Sequence, residues 1–126
     1  MIQTQSLLKV IDNSGAKSVK CIKILGGFKR KYAILGNIIV VSVQQLRNKA
    51  KISSKVKKGE IYKAVILRTK RKIWRKDGFN FIFHQNSVAL LNKQNKPIAT
   101  RIFGKIPREL RTNKFIKLAS LSLGFF

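Results

Sequence analysis

The chain has 126 residues, with 28 Lys+Arg against 4 Asp+Glu, a formal net charge of +24 and a pI of about 11.2. Hydrophobic residues make up 44%, which argues against global disorder, and the longest apolar run, "IIVVSV" (Ile38 to Val43), is far short of the roughly 20 residues of a spanning helix. A charge this one-sided opposes compaction by self-repulsion unless a polyanion neutralises it, so the candidate partners are a nucleic acid and an anionic membrane.

The opening "MIQTQSLLKVIDNSG" has no basic n-region, long apolar h-region or Arg-rich amphipathic pattern, so neither a signal nor a transit peptide is expected. "SLLKVI" reads as a strand ending at the turn "DNSG" (Asp12 to Gly15), where Asp and Asn can fold back on the backbone and Gly accepts positive φ. "AKSVKCIKIL" alternates, setting Val19, Cys21 and Ile24 against Lys17, Lys20 and Lys23. Cys21 is the single cysteine, so an internal disulfide is excluded, and its place on a strand fits a small buried hydrophobe better than a reactive thiol.

"GGFKRKYAILGN" is a Gly-bounded basic loop with two aromatics, in which Lys29, Arg30, Lys31 and Tyr32 are candidate nucleic-acid ligands and Phe28 a candidate barrel cap. "IIVVSVQQL" reads as a strand buried on both faces, because β-branched residues fill it without alternation. The polar stretch "RNKAKISSKVKKGE" carries Lys49, Lys51, Lys55, Lys57 and Lys58 without an aromatic; it is either a phosphate-binding arm or a set of solvated lysines.

"IYKAVILRTK" is the next long strand, and the pair Asp77-Gly78 predicts a tight hairpin turn between it and "FNFIFHQNSVALL". The loop between them concentrates Arg68, Lys70, Arg71, Lys72, Arg75 and Lys76 around Trp74. Six cations without counterions repel one another, whereas lysines and arginines beside an indole can meet phosphates while the ring stacks on a base. Short strands at this spacing, with Gly turns, predict a mainly β fold: a small closed barrel over about residues 1–104. The tail, about 105–126, has Pro107 and Glu109 where a helix begins, then Phe115, Leu118 and Ala119 at helical spacing, so short C-terminal helices are expected to lie on the barrel. One domain, 1–126, is the expected organisation, and Arg108 and Arg111 join the candidate nucleic-acid-binding set.

Little supports catalysis. His84 is the sole histidine, expected to be exposed on the hairpin. A two-metal site would need Asp12, Glu60, Asp77 and Glu109 to converge, yet three of them already serve turns or caps. Walker-type phosphate loops and metal-ligand spacings are absent from the sequence, so no enzyme, cofactor or metal is expected.

With these elements in place, the chain resembles the large-subunit ribosomal protein number fourteen family, in its bacterial and organellar form. The carrying segments are "MIQTQSLLKVIDNSGAKSVKCIKILGG", "KVKKGEIYKAVILRTK", "DGFNFIFHQNSVALL" and "ATRIFGKIPRELR…KFIKLASL". The family signature runs through Ala64 to Leu67, Asp77-Gly78, Phe83 and Asn86. Departures are Ala89 for the signature's late Val, His84 where Asp is usual, a longer 47–58 loop, and "SLSLGFF" as the ending.

The resemblance implies a five-stranded β-barrel and a structural role in the large ribosomal subunit. It implies contact with large-subunit rRNA, bridges to small-subunit rRNA, and neighbouring ribosomal proteins. It also implies that Thr100, Arg101 and Lys117 form the surface that meets the ribosomal silencing factor when the subunits are apart. Abundant Lys, Asn, Ile and Phe, with AT-rich codons, point to translation inside a mitochondrion; a plastid or bacterial cytoplasm is the alternative. Two other readings of the charge are a nucleoid-type DNA-binding protein and a membrane-active cationic protein. The first should present a groove-reading helix and the second a long amphipathic one, and neither is recognisable.

Overall fold

The computed structural model describes residues 1–47 and 55–126. Its strands follow the aliphatic and β-branched runs: β1 (Leu7–Val10), β2 (Ala16–Ile24), β3 (Ile38–Leu46), β4 (Ile61–Arg68), β5 (Ile73–Trp74), β6 (Asn80–Phe81) and β7 (Ser87–Leu91). Five of them close a barrel in the order β1-β2-β3-β4-β7, while β5 and β6 form a separate two-stranded ribbon. The fold class is therefore mainly β with a five-stranded barrel, as expected.

Barrel neighbours run antiparallel except at the closing seam, where β1 and β7 are parallel with Lys9 opposite Ser87 and Val10 opposite Val88. Beyond that seam the carboxylate of Asp12, fully buried, takes over as acceptor: the Leu90 N–H donates to its Oδ2 at 2.8 Å. The Ser14 N–H donates to Oδ1 at 3.0 Å, and the Ser14 hydroxyl donates to the same atom. Asp12 thus folds back on the backbone of the "DNSG" turn as expected, whereas the Asn13 side chain reaches away to Thr100 and Arg101, and Gly15 takes φ +102°.

The apolar residues of β2 fall at Ala16, Val19, Cys21 and Ile24, three apart at both ends. Register shifts between Ser18 and Val19 and between Cys21 and Lys23 supply the extra residues, so all four still face the interior. Such bulges bend a strand and increase its twist, which a barrel this small requires. Cys21 is buried, and burial pushes its thiol pKa up.

Two expectations are corrected. In β3, only Ile39, Val41 and Val43 are buried; the alternate residues Ile38, Val40 and Ser42 are half-buried, so the strand has one dry face. The strands buried on both faces are β4, at Ala64 to Leu67, and β7 throughout. The reason is tertiary. Ala64, Ile66, Val88 and Leu90 point into the barrel, while Val65, Leu67, Ala89 and Leu91 lie beneath the C-terminal tail with Ile102, Ile106, Leu110 and Leu118.

The second correction concerns the turn after β4. The Asp-Gly pair closes the β5–β6 ribbon and does not join two barrel strands. The Gly78 N–H donates to the Arg75 carbonyl at 3.1 Å and the Arg75 N–H to the Phe79 carbonyl at 2.8 Å. Lys76 and Asp77 are the central residues, and Gly78 follows at φ +80°, the arrangement of a turn with a glycine bulge in place of a two-residue loop.

The tail contains 3₁₀ turns at Arg108–Leu110 and Asn113–Phe115 and helix α1 at Ile116–Ser120. Pro107 precedes the first turn and Glu109 lies within it. Leu118 and Ala119 are buried and Phe115 is half-buried against them, the expected stripe. Burying a leucine of this kind contributes about 1.5–3 kcal/mol, enough to hold so short a helix in place. Parallel bridges Ile102↔Ser122 and Ile106↔Phe125 tie the two ends of the tail together.

Candidate nucleic-acid interface

The basic hairpin grows directly from β4. Its six cations fall into two groups. Arg68 turns back toward the barrel: its Nε donates to the Lys105 carbonyl at 3.0 Å and its Nη2 to the Phe103 carbonyl at 2.8 Å. Its guanidinium also lies 5.7 Å from the Phe83 ring centroid, and burial pulls its pKa down. Arg75 is likewise committed inward, on Glu109 at 2.6 Å, on the main-chain oxygen of Phe126, and over the Phe81 ring at 4.5 Å. Lys70, Arg71, Lys72 and Lys76 are exposed. The division follows from which acceptors lie within reach: Arg68 and Arg75 meet the Phe103, Lys105, Glu109 and Phe126 oxygens of the tail, and a rigid fork can satisfy several fixed acceptors at once.

Trp74 is 69% exposed on β5, next to the closing turn of the ribbon, with the Lys72 ammonium 4.6 Å from its ring centroid. It lines two cavities. One, of about 330 Å³, is lined by Ile34, Leu35 and Ile73 together with Thr69, Arg71 and Lys72. The other, of about 460 Å³, includes Asp77 and Glu109 beside Arg75 and Arg108.

The loop of residues 26–37 shows the same division of labour. Arg30 pins it, donating from Nε to the Tyr32 carbonyl, from Nη1 to the Gly26 carbonyl and from Nη2 to Asn37 Oδ1 at 2.9 Å. Lys29, Lys31 and Tyr32 remain exposed. Phe28, read as a candidate cap, is 91% exposed and caps nothing in the described chain.

Of the third cluster, Lys49 and Lys51 lie outside the described residues. Lys57 and Lys58 are exposed, and the Lys55 ammonium donates to the Ile98 carbonyl at 3.4 Å. Arg108 is exposed, and the Arg111 guanidinium lies 5.8 Å from the Phe125 ring.

Thr100, Arg101 and Lys117 are all exposed. The first two are set by Asn13, whose Oδ1 accepts the Thr100 and Arg101 N–H groups at 2.9 and 3.2 Å and whose Nδ2 donates to the Thr100 hydroxyl at 2.8 Å. The bridge Ile102↔Ser122 ties the segment just after Arg101 to the residues just after α1, which carries Lys117.

The acids do little to neutralise these surfaces. Asp12 is buried in the seam, and Arg75–Glu109 is the one ion pair among the described residues. Glu60 accepts the Lys57 N–H at 2.9 Å and the Tyr62 hydroxyl at 2.6 Å. The Tyr62 hydrogen bond, with the Lys57 N–H behind it, lowers the Glu60 pKa. Burial and the same hydrogen bond push Tyr62 up to about 12. His84 is exposed.

Sequence reasoning passed over two features. Lys9 and Lys17, on adjacent strands, line a groove of about 420 Å³ with Lys70, Gln85 and Asn86. Their outward positions on strands were the available signal. Arg47 clamps the fold, donating to the Val10 carbonyl at 3.1 Å beneath the Phe103 ring, and nothing local in "LRNK" marks it.

Exposed cations therefore face outward from several loops around the barrel, and among the described residues no acids converge on a common site. The family model described as ribosomal protein L14p/L23e matches residues 1–125. The chain belongs to that family, and is accordingly a structural, non-enzymatic component of the large ribosomal subunit.

Proposed function

We propose that the chain holds its place in the large subunit by binding large-subunit rRNA through the exposed cations of its loops and through Trp74. The observation that carries this reading is the ribbon itself. Lys70, Arg71, Lys72 and Lys76 project from it with an exposed indole among them, while its one ion-paired arginine is turned inward. Lysines neutralise phosphates as point charges, and an indole stacks on any base, so this surface suits an irregular RNA. In this reading Arg68, Arg30 and Arg75 act mainly as braces for the surface, and Lys29, Lys31, Lys57 and Lys58 extend it.

The face bearing Thr100, Arg101 and Lys117 is the intersubunit face. It bridges to small-subunit rRNA when the subunits are joined, and takes the ribosomal silencing factor when they are apart. Arg101 can fork onto a phosphate or a carboxylate, so either partner can use the patch and the two exclude each other. The ribosome concerned is that of a mitochondrion, a reading supported by the richness in Lys, Asn, Ile and Phe.

Sedimentation of tagged chain tests the whole reading, with migration alongside the large subunit of mitochondrial ribosomes expected. Arg101→Glu should still enter that subunit but impair joining to the small one. Failure to enter would place Arg101 on the subunit's own RNA and overturn the interface assignment.

A further inference from the structure

From the cavity beside Trp74 we infer a composite site for one unpaired nucleobase, built jointly by the barrel loop and the hairpin ribbon. The inference rests on the proposed rRNA contact and deepens it: the ribbon is more than a charged arm, because its first strand lines a cavity together with the barrel loop.

The loop contributes Ile34 and Leu35, just ahead of β3. This part of the lining is rigid. Ile2 and Ala33 exchange two backbone hydrogen bonds at 2.9 and 2.8 Å, the Ile34 N–H donates to Asn37 Oδ1 at 2.8 Å, and the Gly36 N–H donates to the Ile66 carbonyl at 2.9 Å. Ile73 and Trp74, which line the same cavity, are held by pairing with Phe81 and Asn80. A slot between fixed walls is preorganised, so a base entering it sacrifices little protein entropy.

Three features choose the occupant. The volume, about 330 Å³, lies at the small end of the roughly 300–1,000 Å³ of small-molecule pockets and suits one ring system with its sugar. Most of the lining is apolar or aromatic, as a base's π-face requires, and Arg71 and Lys72 in the same lining can meet the attached phosphates, the Lys72 ammonium lying 4.6 Å from the Trp74 ring centroid. The neighbouring cavity that Trp74 also lines has no aliphatic residue in its lining, which is Arg75, Lys76, Asp77, Arg108 and Glu109, so it offers a base no apolar wall opposite the indole. An apolar side chain from a neighbouring protein would fit the apolar lining but would leave the two cations unanswered.

Trp74 is the only tryptophan, so its fluorescence reports on the slot directly. The full chain is titrated with three short RNAs at one salt concentration: a duplex with a single bulged adenosine, the same duplex fully paired, and the bulge with an abasic ribose in place of the adenosine. The expected result is quenching by the adenosine bulge alone, with about tenfold tighter binding than the abasic bulge, as one stacked base implies. Ile34→Ser, at an exposed position, should abolish that preference while the paired duplex binds as before. If all three RNAs bind equally and none quenches selectively, the slot takes no base and only this inference falls. If none of them binds, the rRNA reading falls with it.

Discussion

Gly104 tests how the hairpin is braced against the tail. Its φ is +81°, and a Cβ built there would lie 2.5 Å from Arg68 Nη2 and 3.5 Å from Cζ. That Nη2 is the atom that donates to the Phe103 carbonyl, while Nε holds the Lys105 carbonyl. Gly104→Ala therefore does two separable things. It places an L side chain in left-handed backbone, at about 1–2 kcal/mol, and it displaces a guanidinium from two carbonyls. A hydrogen bond from a charged group contributes about 1.5–3 kcal/mol. Because Arg68 is only half-buried and can recover contacts with water, the equivalent of one such bond, about 1–2 kcal/mol, is the reasonable loss. The expected total is about 2–4 kcal/mol.

A double-mutant cycle separates the terms. Measured by urea unfolding in high salt, which suppresses the self-repulsion, Gly104→Ala should cost about 1–2 kcal/mol in an Arg68→Ala background and about 1–2 kcal/mol more in the parent. An equal cost in both backgrounds would mean that Arg68 yields freely, and the brace would be refuted.

Asp12→Ala should be more damaging, about 2–5 kcal/mol, because it strands the buried Leu90 N–H together with the Ser14 N–H and hydroxyl; thermal unfolding within 0.5 kcal/mol of the parent would contradict the seam described above. Gly78→Val should cost about 1–2 kcal/mol from φ alone, since nothing lies within 4 Å of the added Cβ, and urea unfolding measures it. Affinity for rRNA fragments should fall by roughly three to five decades between 50 and 200 mM salt if about six to ten phosphates are neutralised, and filter binding with a flat salt profile would rule that out. Glu109 is drawn below its ordinary pKa. Burial pushes upward, but the Arg75 hydrogen bond, its own backbone N–H and the charges of Arg75 and Arg108 outweigh it. Its contribution to stability is thus present above the ordinary carboxylate pKa and lost as pH falls through the lowered one; Glu109→Gln should flatten that part of the acid unfolding curve.

What the linear sequence determined rests on local rules. The "DNSG" turn, the positive φ at Gly78, the burial of Cys21 and the helical stripe at Phe115, Leu118 and Ala119 depend on residue type and short-range spacing, and all are legible in the chain. The barrel class follows from strand length and turn placement, and the polyanion partner from +24. Tertiary structure decided the remainder. β3 looked dry on both faces and β4 was not singled out, because which strands the tail covers depends on where residues 102–119 fold back. The cations of the hairpin are equivalent as letters, yet Arg68 and Arg75 turn inward because Phe103, Lys105, Glu109 and Phe126 arrive from 34 to 51 residues away. Asn13 orients Thr100 and Arg101 across 87 and 88 residues. The slot beside Trp74 needs Ile34 and Leu35 from another loop entirely. Periodicity records which face of an element is apolar; which surface meets it, and which cation finds an acceptor first, is settled only when distant segments close on one another.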